Sequence, residues 1–341
     1  MFKLQPHWTR LTLVSLLLLP LAGLFALIVW MRRLAYRRGW RPSFSVGIPV
    51  IIVGNITAGG SGKTPLVIWL VNWLSRRGYR PGVVSRGYGG SATGAVEVHT
   101  HSDPAVVGDE PLLIHYKTNA PVMVGRDRVL AARTLLARHP GIDIIVADDG
   151  LQHYRLHRDL ELAVLDARTG LGNGLPLPAG PLREPASRLE TVDALVQIRR
   201  GDTPVNTLPV ASYQAEFALG KAYALTQPDH KVDITDLPGS DWQAITGIGQ
   251  PQGFFDMLSR LGWGFRTKTF PDHHRYRPDD IPAAARVVMT EKDAVKCLAF
   301  AQPDWWALEL EARPEAAFIR FLEDRFKSAL HPAATAPHDN R

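Results

Sequence analysis

The glycine-rich segment at residues 57–64 constrains the fold of this chain more than any other stretch. It reads Thr-Ala-Gly-Gly-Ser-Gly-Lys-Thr, which matches the pattern G-x-x-x-x-G-K-[ST] at every position except the first, where Thr57 replaces glycine. An apolar run at residues 50–53 precedes it, and apolar side chains recur at helical spacing over residues 65–73. The segment therefore predicts a strand, a tight loop and a helix around a site for phosphate groups.

Each part of this loop has its own predicted role in binding a nucleoside triphosphate. The glycines allow backbone amides to close around phosphate oxygens. Lys63 is expected to neutralise the β and γ phosphates, and the hydroxyl of Thr64 is expected to bind Mg²⁺. A glycine-rich turn with an incidental lysine is the alternative. The predicted nucleotide contacts are Thr57, Ala58, Gly59, Gly60, Ser61, Gly62, Lys63 and Thr64.

Two adjacent carboxylates follow a predicted strand further along the chain. Residues 142–147 form an apolar run that leads into Asp148 and Asp149. In proteins with this type of loop, an acid at the end of a neighbouring strand binds Mg²⁺ directly or through water. Asp148 or Asp149 is therefore a predicted metal ligand, and capping of the next element is the alternative role.

One acidic loop residue and a histidine pair are candidates for proton transfer. Phosphoryl transfer to a hydroxyl needs a group that accepts its proton, and Asp109 is the candidate base, with a helix N-cap as its alternative role. Asp272 precedes His273 and His274 after a predicted strand, where a histidine beside an aspartate could orient a catalytic carboxylate. Surface histidines are the alternative, and metal binding by both is disfavoured because adjacent side chains point apart.

Alternating strands and helices predict an α/β fold of the P-loop NTPase type, with a mostly parallel sheet and helices on both faces. Strands are predicted at residues 81–85, 121–124, 142–147, 160–165 and 194–198, and a helix at residues 127–138. A second block predicts a smaller α/β domain, with strands at residues 244–248, 265–270, 287–290 and 306–309 and a helix at residues 253–261.

The predicted organisation has four parts. Residues 213–217 are expected to form an exposed strand within a linker. Residues 290–293 are expected to be a solvated helix start, with a loop that reads the nucleotide base as the alternative. The divisions are a membrane anchor at residues 1–35, a P-loop core at 36–212, a smaller α/β domain with linker strands at 213–330, and a disordered tail at 331–341. The tail is rich in alanine, proline and polar residues.

The N-terminal anchor is predicted from an uncharged apolar run at residues 11–31, since about 20 such residues cross a bilayer. No small-residue cleavage site follows it, which disfavours a signal peptide. Pro20 and Gly23 leave open an anchor that dips into the bilayer without crossing it. The following arginines predict a cytoplasmic location for the rest of the chain and contact with anionic lipid. They are Arg32, Arg33, Arg37, Arg38 and Arg41.

Composition narrows the partners and the covalent cross-links that are expected for this chain. The formal net charge is +6, but no zinc-finger, RNP or basic-zipper signature accompanies it, so nucleic acid is not an expected partner. The single cysteine, Cys297, excludes an intrachain disulfide and is expected to lie in the core.

Taken together, the motifs are similar to those of the tetraacyldisaccharide 4'-kinases, the lipid A 4'-kinases of Gram-negative bacteria. The resemblance runs in the same order from about residue 11 to residue 322. The motifs that carry it are VGN at 53–55, GGSGKTP at 59–65, SRGYGG at 85–90, GDEP at 108–111, DDGLQH at 148–153, LPAGPLREP at 177–185, DHH at 272–274 and TEKDAV at 290–295.

The resemblance implies a kinase at the cytoplasmic face of the inner membrane that moves the γ-phosphate of ATP to the 4'-hydroxyl of a tetraacylated disaccharide 1-phosphate, giving lipid IVA. It implies that Asp109 works with a histidine, best matched by His273 with His274 as the alternative, and that Asp148 and Asp149 bind Mg²⁺. It also implies substrate or phosphate contacts by Gln152, His153, Arg183, Arg126 and Arg128.

A membrane-bound nucleotide switch that recruits partner proteins is the alternative function. One class of such switches has a lysine that reaches across a dimer at the position of Ala58, so this chain lacks the charge on which that class depends. The predicted partners are therefore the lipid-linked disaccharide and the membrane, without an obligate protein partner.

Overall fold

Strands and helices alternate along most of the chain. The structure is a computed structural model that describes residues 5–60, 62–201, 208, 210, 212–281 and 286–330. The helices are α1 (Leu13–Leu17), α2 (Leu19–Arg37), α3 (Lys63–Arg76), α4 (Pro104–Val107), α5 (Asp109–Thr118), α6 (Arg128–Arg138), α7 (Pro251–Arg260), α8 (Glu291–Ala294) and α9 (Ala316–Leu330). The strands before residue 200 are β1 (Val50–Gly54), β2 (Pro81–Ser85), β3 (Val96–Val98), β4 (Val122–Val124), β5 (Ile144–Asp148), β6 (Leu160–Asp166) and β7 (Ala194–Arg199). The later strands are β8 (Ser212–Ala224), β9 (Lys231–Val232), β10 (Trp242–Thr246), β11 (Phe265–Thr269), β12 (Val287–Thr290) and β13 (Trp305–Pro314).

Within the described residues these strands form one continuous sheet. Their spatial order is β11-β10-β12-β13-β8-β7-β6-β1-β5-β2-β4-β3, and β9 pairs with β8. The pairs β3–β4, β8–β9 and β8–β13 are antiparallel, and the other neighbours are parallel. The predicted fold class, a mostly parallel sheet with helices on both faces, is confirmed. β1, which leads into the phosphate loop, lies between β6 and β5.

Strand β1 supplies side chains to both faces of the sheet. Ile51 and Val53 pack into a cluster with apolar residues of α3, α5 and α9, whereas Val50 and Ile52 pack into a cluster with α6. Successive side chains of a strand point to opposite faces, so a strand covered on both sides needs a continuous apolar run. This explains why β1 was predictable from sequence.

The prediction of an exposed strand at residues 213–217 is wrong. Those residues belong to β8, which pairs with β7 on one side and with β13 on the other. Ala215 and Phe217 are buried. The mixed pattern of polar and apolar residues reflects a strand with one buried face, because exposed Glu216 lies between buried Ala215 and Phe217. The predicted domain boundary after residue 212 falls at the start of β8, and the division into two domains stays a prediction.

The N-terminal apolar run forms two helices, because α1 ends before Leu18 and α2 begins with Pro20 in its first turn. Among the described residues, α2 is the one helix long and apolar enough to cross a membrane, and its large apolar side chains are mostly exposed. Its C-terminal part contacts the core: Arg33 Nη2 donates to Thr191 Oγ1 at 2.8 Å, and the ring of Tyr36 lies 5.7 Å from that of Tyr154. The predicted tail at residues 331–341 lies outside the described residues.

Cys297 lies in a hydrophobic cluster of the second half of the chain, with Val287, Met289 and Trp305. Burial raises the pKa of its thiol to about 12, so the thiol stays protonated at neutral pH. The prediction of a core cysteine is confirmed.

Candidate functional site

The phosphate loop connects the end of β1 with the first turn of α3. Gly62 is the N-cap of α3 and has a left-handed φ of 75°. A Cβ atom at this position would lie 2.6 Å from Cε2 of Phe217, so only glycine fits. No described side chain caps this helix. Its first amides therefore remain available to an anion. Ser61, a predicted phosphate contact, lies outside the described residues.

Hydrogen bonds to neighbouring segments fix the conformation of the first part of the phosphate loop. Ala58 N donates to Pro181 O at 2.7 Å, and Arg183 N donates to Ile56 O at 2.7 Å. Thr57 is buried, and its hydroxyl accepts from Asn55 Nδ2 at 2.7 Å. The hydrogen bond gives a structural reason for threonine where the general pattern has glycine.

Lys63 is paired with the second of the two adjacent aspartates. Its Nζ lies 3.3 Å from Asp149 Oδ1, and Arg183 Nη1 lies 3.1 Å from Asp149 Oδ2. Burial opposes ionisation of this carboxyl group, but the two cations lower the pKa of Asp149 to about 2. Asp149 is therefore fully ionised at neutral pH and paired with two cations of the chain itself.

Asp148 is at the end of β5, opposite Val53 of β1. Its Oδ2 accepts from Ser85 Oγ at 2.9 Å, whereas its buried Oδ1 has no hydrogen-bond partner among the described residues. Burial raises the pKa of Asp148, and the negative charges of Glu110 and Asp149 raise it further. A buried carboxylate oxygen that has no hydrogen-bond partner and lies near two further carboxylates is suited to bind a cation such as Mg²⁺.

Asp109 and His273 meet across the two halves of the chain. His273 Nδ1 lies 3.0 Å from Asp109 Oδ1 and 3.1 Å from Oδ2. Asp109 is the first residue of α5, and His273 has a left-handed φ of 57° in the turn after β11. Burial opposes ionisation of Asp109, but the hydrogen bond from His273 and the charges of Lys292, His273 and Lys296 outweigh it, so the pKa of Asp109 is lowered.

The two histidines that are adjacent in sequence make different contacts. His274 Nε2 lies 3.0 Å from Asp280 Oδ2, and its ring stacks on Phe270 at 4.5 Å. His273 is the one in contact with Asp109, which decides between the two histidines that the sequence left open. Burial opposes protonation of His273, but the hydrogen bond to Asp109 raises its pKa above the ordinary value.

Sequence reasoning missed two lysines beside Asp109. Lys292 Nζ lies 4.0 Å from Asp109 Oδ2, and Lys296 Nζ lies 3.8 Å from the same oxygen. A helix does start at residues 290–293, with Thr290 as the N-cap of α8. The expectation that this helix start is solvated is wrong, because Glu291 and Asp293 are buried. Three charged residues directly after the buried strand β12, Glu291, Lys292 and Asp293, were the signal that a site begins there.

These groups surround a cavity of about 450 Å³. Its lining includes the phosphate loop with Lys63 and Thr64, and apolar side chains of β8, α7 and β13. Its polar lining includes Glu110, Asp148, Asp149, Arg183, Asp272, His273 and Lys292. A smaller pocket of about 110 Å³ is lined by Asp109, Lys296 and Arg275, and Tyr88 and His273 line both. The Asp109–His273 pair therefore lies where two cavities adjoin.

The predicted substrate contacts are placed differently from one another. Arg183 lines the larger cavity, whereas Gln152, His153 and Arg126 are not among the described lining residues. Gln152 Nε2 donates to Asn55 O at 3.0 Å and to Glu184 Oε2 at 3.1 Å, which supports the base of the phosphate loop. Arg126 is exposed before α6.

Neither Arg128 nor His153 is among the described residues that line the larger cavity. Arg128 is buried, and it donates to the carbonyl oxygens of Gly125 at 2.8 Å and Asp148 at 3.4 Å. Burial lowers the pKa of His153 to about 4, with the charge of Arg128 lowering it further, so this imidazole is neutral at pH 7. Arg128 therefore braces the strand end that carries Asp148.

Comparison with known proteins gives consistent matches over nearly the whole chain. The family model described as tetraacyldisaccharide-1-P 4'-kinase matches residues 14–327. The tetraacyldisaccharide 4'-kinase of Thiobacillus denitrificans is 60% identical over 329 residues, covering 96% of this chain and 100% of the relative. That of Chromobacterium violaceum is 49% identical over 300 residues, covering 86% of this chain and 87% of the relative.

A solved structure matches as well. The crystal structure of LpxK from Aquifex aeolicus in complex with ATP has a TM-score of 0.79 and 26% sequence identity, and the match covers 92% of this chain and 100% of that chain. The likeness to known proteins therefore extends from the sequence to the fold.

Proposed function

We propose a catalytic arrangement for this chain, which belongs to the tetraacyldisaccharide 4'-kinase family. It is a lipid A biosynthesis kinase that transfers the γ-phosphate of ATP to the 4'-hydroxyl of a tetraacyldisaccharide 1-phosphate. The transfer takes place where the two cavities adjoin. The phosphate loop holds the nucleotide, and Asp109 receives the proton of the attacking hydroxyl. The contact between Asp109 and His273, 164 positions apart in sequence, carries this proposal.

The nucleotide site consists of the phosphate loop and the start of α3. The first amides of α3 and the ammonium group of Lys63 bind the β and γ phosphates. Lys63 then exchanges Asp149 for a phosphate oxygen. The apolar lining that includes Phe217 and Phe254 provides the surface for the adenine ring of ATP.

Oxygen atoms of Thr64, Asp148 and Asp149 are assigned to hold Mg²⁺. The unpartnered Oδ1 of Asp148 supports this assignment, as does the ionised state of Asp149. The metal, when bound, supplies positive charge that neutralises the phosphate oxygens. Thr64 and Asp148 are at the ends of neighbouring structural elements, so their positions are set by the sheet rather than by flexible loops.

Asp109 acts as general base and His273 as its positioning and proton-sharing partner. A base must be ionised before it accepts a proton, and the lowered pKa of Asp109 meets that condition at neutral pH. His273 Nδ1 contacts both oxygens of Asp109, and the two lysines face Oδ2 from beyond hydrogen-bond distance. Because a carboxylate oxygen has two lone pairs, Oδ2 keeps one for the sugar hydroxyl. Arg183 is assigned to phosphate contact because it lines the cavity and is already paired with an anion.

Membrane association is assigned to α1 and α2, with the rest of the chain at the cytoplasmic face of the inner membrane. The exposed apolar side chains of α2 support this, since a soluble helix would bury them. Exposed arginines at its C-terminal end support contact with anionic headgroups. An acylated substrate lies in the same surface, so the anchor raises the local concentration of acceptor.

The test is a phosphoryl-transfer assay with the full chain in detergent. Labelled ATP, Mg²⁺ and the disaccharide 1-phosphate are expected to give a product phosphorylated at the 4'-position. Asp109→Asn should lower kcat by about 100-fold or more while ATP binding is preserved. An equal loss of ATP binding and kcat would contradict the base assignment and indicate a metal-binding or folding role. ATP turnover without the disaccharide is the control, and fast lipid-independent turnover would favour a nucleotide switch.

A further inference from the structure

Lys292 lies between carboxylates that come from both halves of the chain. Its Nζ is 3.0 Å from Glu110 Oε1, 3.6 Å from Asp272 Oδ1 and 4.0 Å from Asp109 Oδ2. Glu110 and Asp109 begin α5, whereas Asp272 directly precedes His273. We propose that Lys292 is a positioning residue that ties α5 to the turn carrying His273 and keeps Asp109 ready to accept a proton. This inference rests on the proposed role of Asp109 as the base.

The distances give Lys292 an electrostatic role toward Asp109 without occupying its oxygen. A separation of 4.0 Å is too long for a hydrogen bond, so Lys292 takes no lone pair of Asp109 Oδ2. His273 Nδ1, at 3.1 Å, occupies at most one of the two lone pairs of this oxygen, and the other remains for a substrate proton. The 4.0 Å separation from Lys292 in a mostly buried site still favours the ionised carboxylate. Lys292 therefore stabilises the charge of the base without competing for its proton.

Lys296 is committed elsewhere, although it is as close to Asp109. Its Nζ lies 2.9 Å from Asp293 Oδ1, and Asp293 is fully buried. Asp293 also accepts from Thr246 Oγ1 and from the backbone of Gly247, which fixes it beneath β10. Lys296 also lowers the pKa of Asp109, but its closest carboxylate, Asp293, lies on its own segment. The carboxylates closest to Lys292 belong instead to α5 and to the turn that carries His273.

Lys292 remains charged in this position. Burial opposes its protonation, but Glu110, Asp109 and Asp272 outweigh burial and raise its pKa. The side chain of Lys292 is 17% exposed, so water screens these interactions only partly. A persistent cation next to the catalytic pair is therefore a permanent part of the site.

Removal of the Lys292 charge is expected to raise the pKa of both members of the catalytic pair, Asp109 and His273. The groups that face Asp109 are His273, Lys292 and Lys296, with Asp272 next to His273. Lys292 lowers the pKa of Asp109 and also lowers the pKa of His273. Whichever group sets the acidic limb of the kcat profile, that limb moves to higher pH when the lysine is neutralised.

The experiment compares Lys292→Met, Lys292→Gln and Lys292→Arg in the full chain, with kcat and the KM for ATP measured as functions of pH. Both neutral variants are expected to move the acidic limb upward by about one to three pH units and to lower kcat at pH 7 by about tenfold or more. Lys292→Gln keeps a hydrogen-bond donor for Glu110 and serves if Lys292→Met fails to fold. Lys292→Arg is expected to keep the limb at its original pH.

Lys117→Met is the matched control. Lys117 is buried to a similar extent, 19% exposed, and pairs with two carboxylates, Glu291 and Glu309, without contacting Asp109. Its loss should leave the acidic limb in place, whatever it does to thermal stability. Neutral Lys292 variants with lowered kcat and an unmoved limb would overturn the proposal. If Asp109→Asn retains kcat, the base assignment fails first, so the two failures are distinguishable.

Discussion

The ammonium group of Lys63 lies 3.3 Å from Oδ1 of Asp149, so the lysine of the phosphate loop is held by a carboxylate of the chain itself. Arg183 holds the other oxygen of Asp149 at 3.1 Å. An entering triphosphate offers Lys63 a partner with more negative charge, and Asp149 then loses one of its two cations. We therefore expect nucleotide binding to free Asp149 for a metal ion.

Lys63→Met should lower kcat/KM for ATP by about 100-fold or more, because the variant loses a charge directed at the transferred phosphate. Initial rates at varied ATP concentration measure this. Lys221→Met, which changes an exposed lysine of β8, is the control and should behave like the parent. Parent-like rates for Lys63→Met would exclude the assigned role of the loop.

His273→Asn and His274→Asn should differ sharply, although the residues are adjacent. The first removes the partner of Asp109 and should lower kcat by about 10- to 100-fold. The second removes a hydrogen bond to Asp280 and should change thermal stability more than kcat. Steady-state rates and melting midpoints of both variants test this, and equal effects on kcat would count against the pair.

His153 should make stability depend on pH. Its pKa is about 4 in the folded chain against an ordinary value of 6.5, so the unfolded state binds more protons between those pH values. Stability is therefore expected to fall as the pH falls from about 6.5 to about 4, by up to about 2 kcal/mol after allowance for solvent screening. Urea midpoints measured near pH 7 and near pH 5 should converge in His153→Asn. An unchanged pH dependence in this variant would contradict the shifted pKa.

Arginines at the end of α2 should strengthen binding to anionic lipid. Arg37, Arg38 and Arg41 are exposed, whereas Arg33 contacts the core. Replacing the three exposed arginines by glutamine should weaken binding to vesicles that contain phosphatidylglycerol, by about fivefold for each charge at low salt. Vesicles of neutral lipid are the control and should bind parent and variant equally. Equal binding to the anionic vesicles would mean that these arginines serve another purpose.

Sequence patterns determined the local structure around the phosphate loop well. Residues that bind phosphate through the backbone must occur as one continuous segment, so Gly62, Lys63 and Thr64 are recognisable without a fold. The strands β1 and β5 were also predictable, because burial on both faces demands an unbroken apolar run. Asp148, the last residue of β5, and Asp149 could then be placed at the end of that strand by chain order alone.

Only the tertiary structure decided which distant side chains meet. The choice between His273 and His274 depends on a left-handed turn that the sequence does not reveal, and that turn brings His273 to Asp109. Lys292 looked like a solvated helix residue because local sequence carries no information about the neighbouring carboxylates of α5. Charge networks arise between segments far apart in the chain, so their members are identified only when the folded sheet brings those segments together.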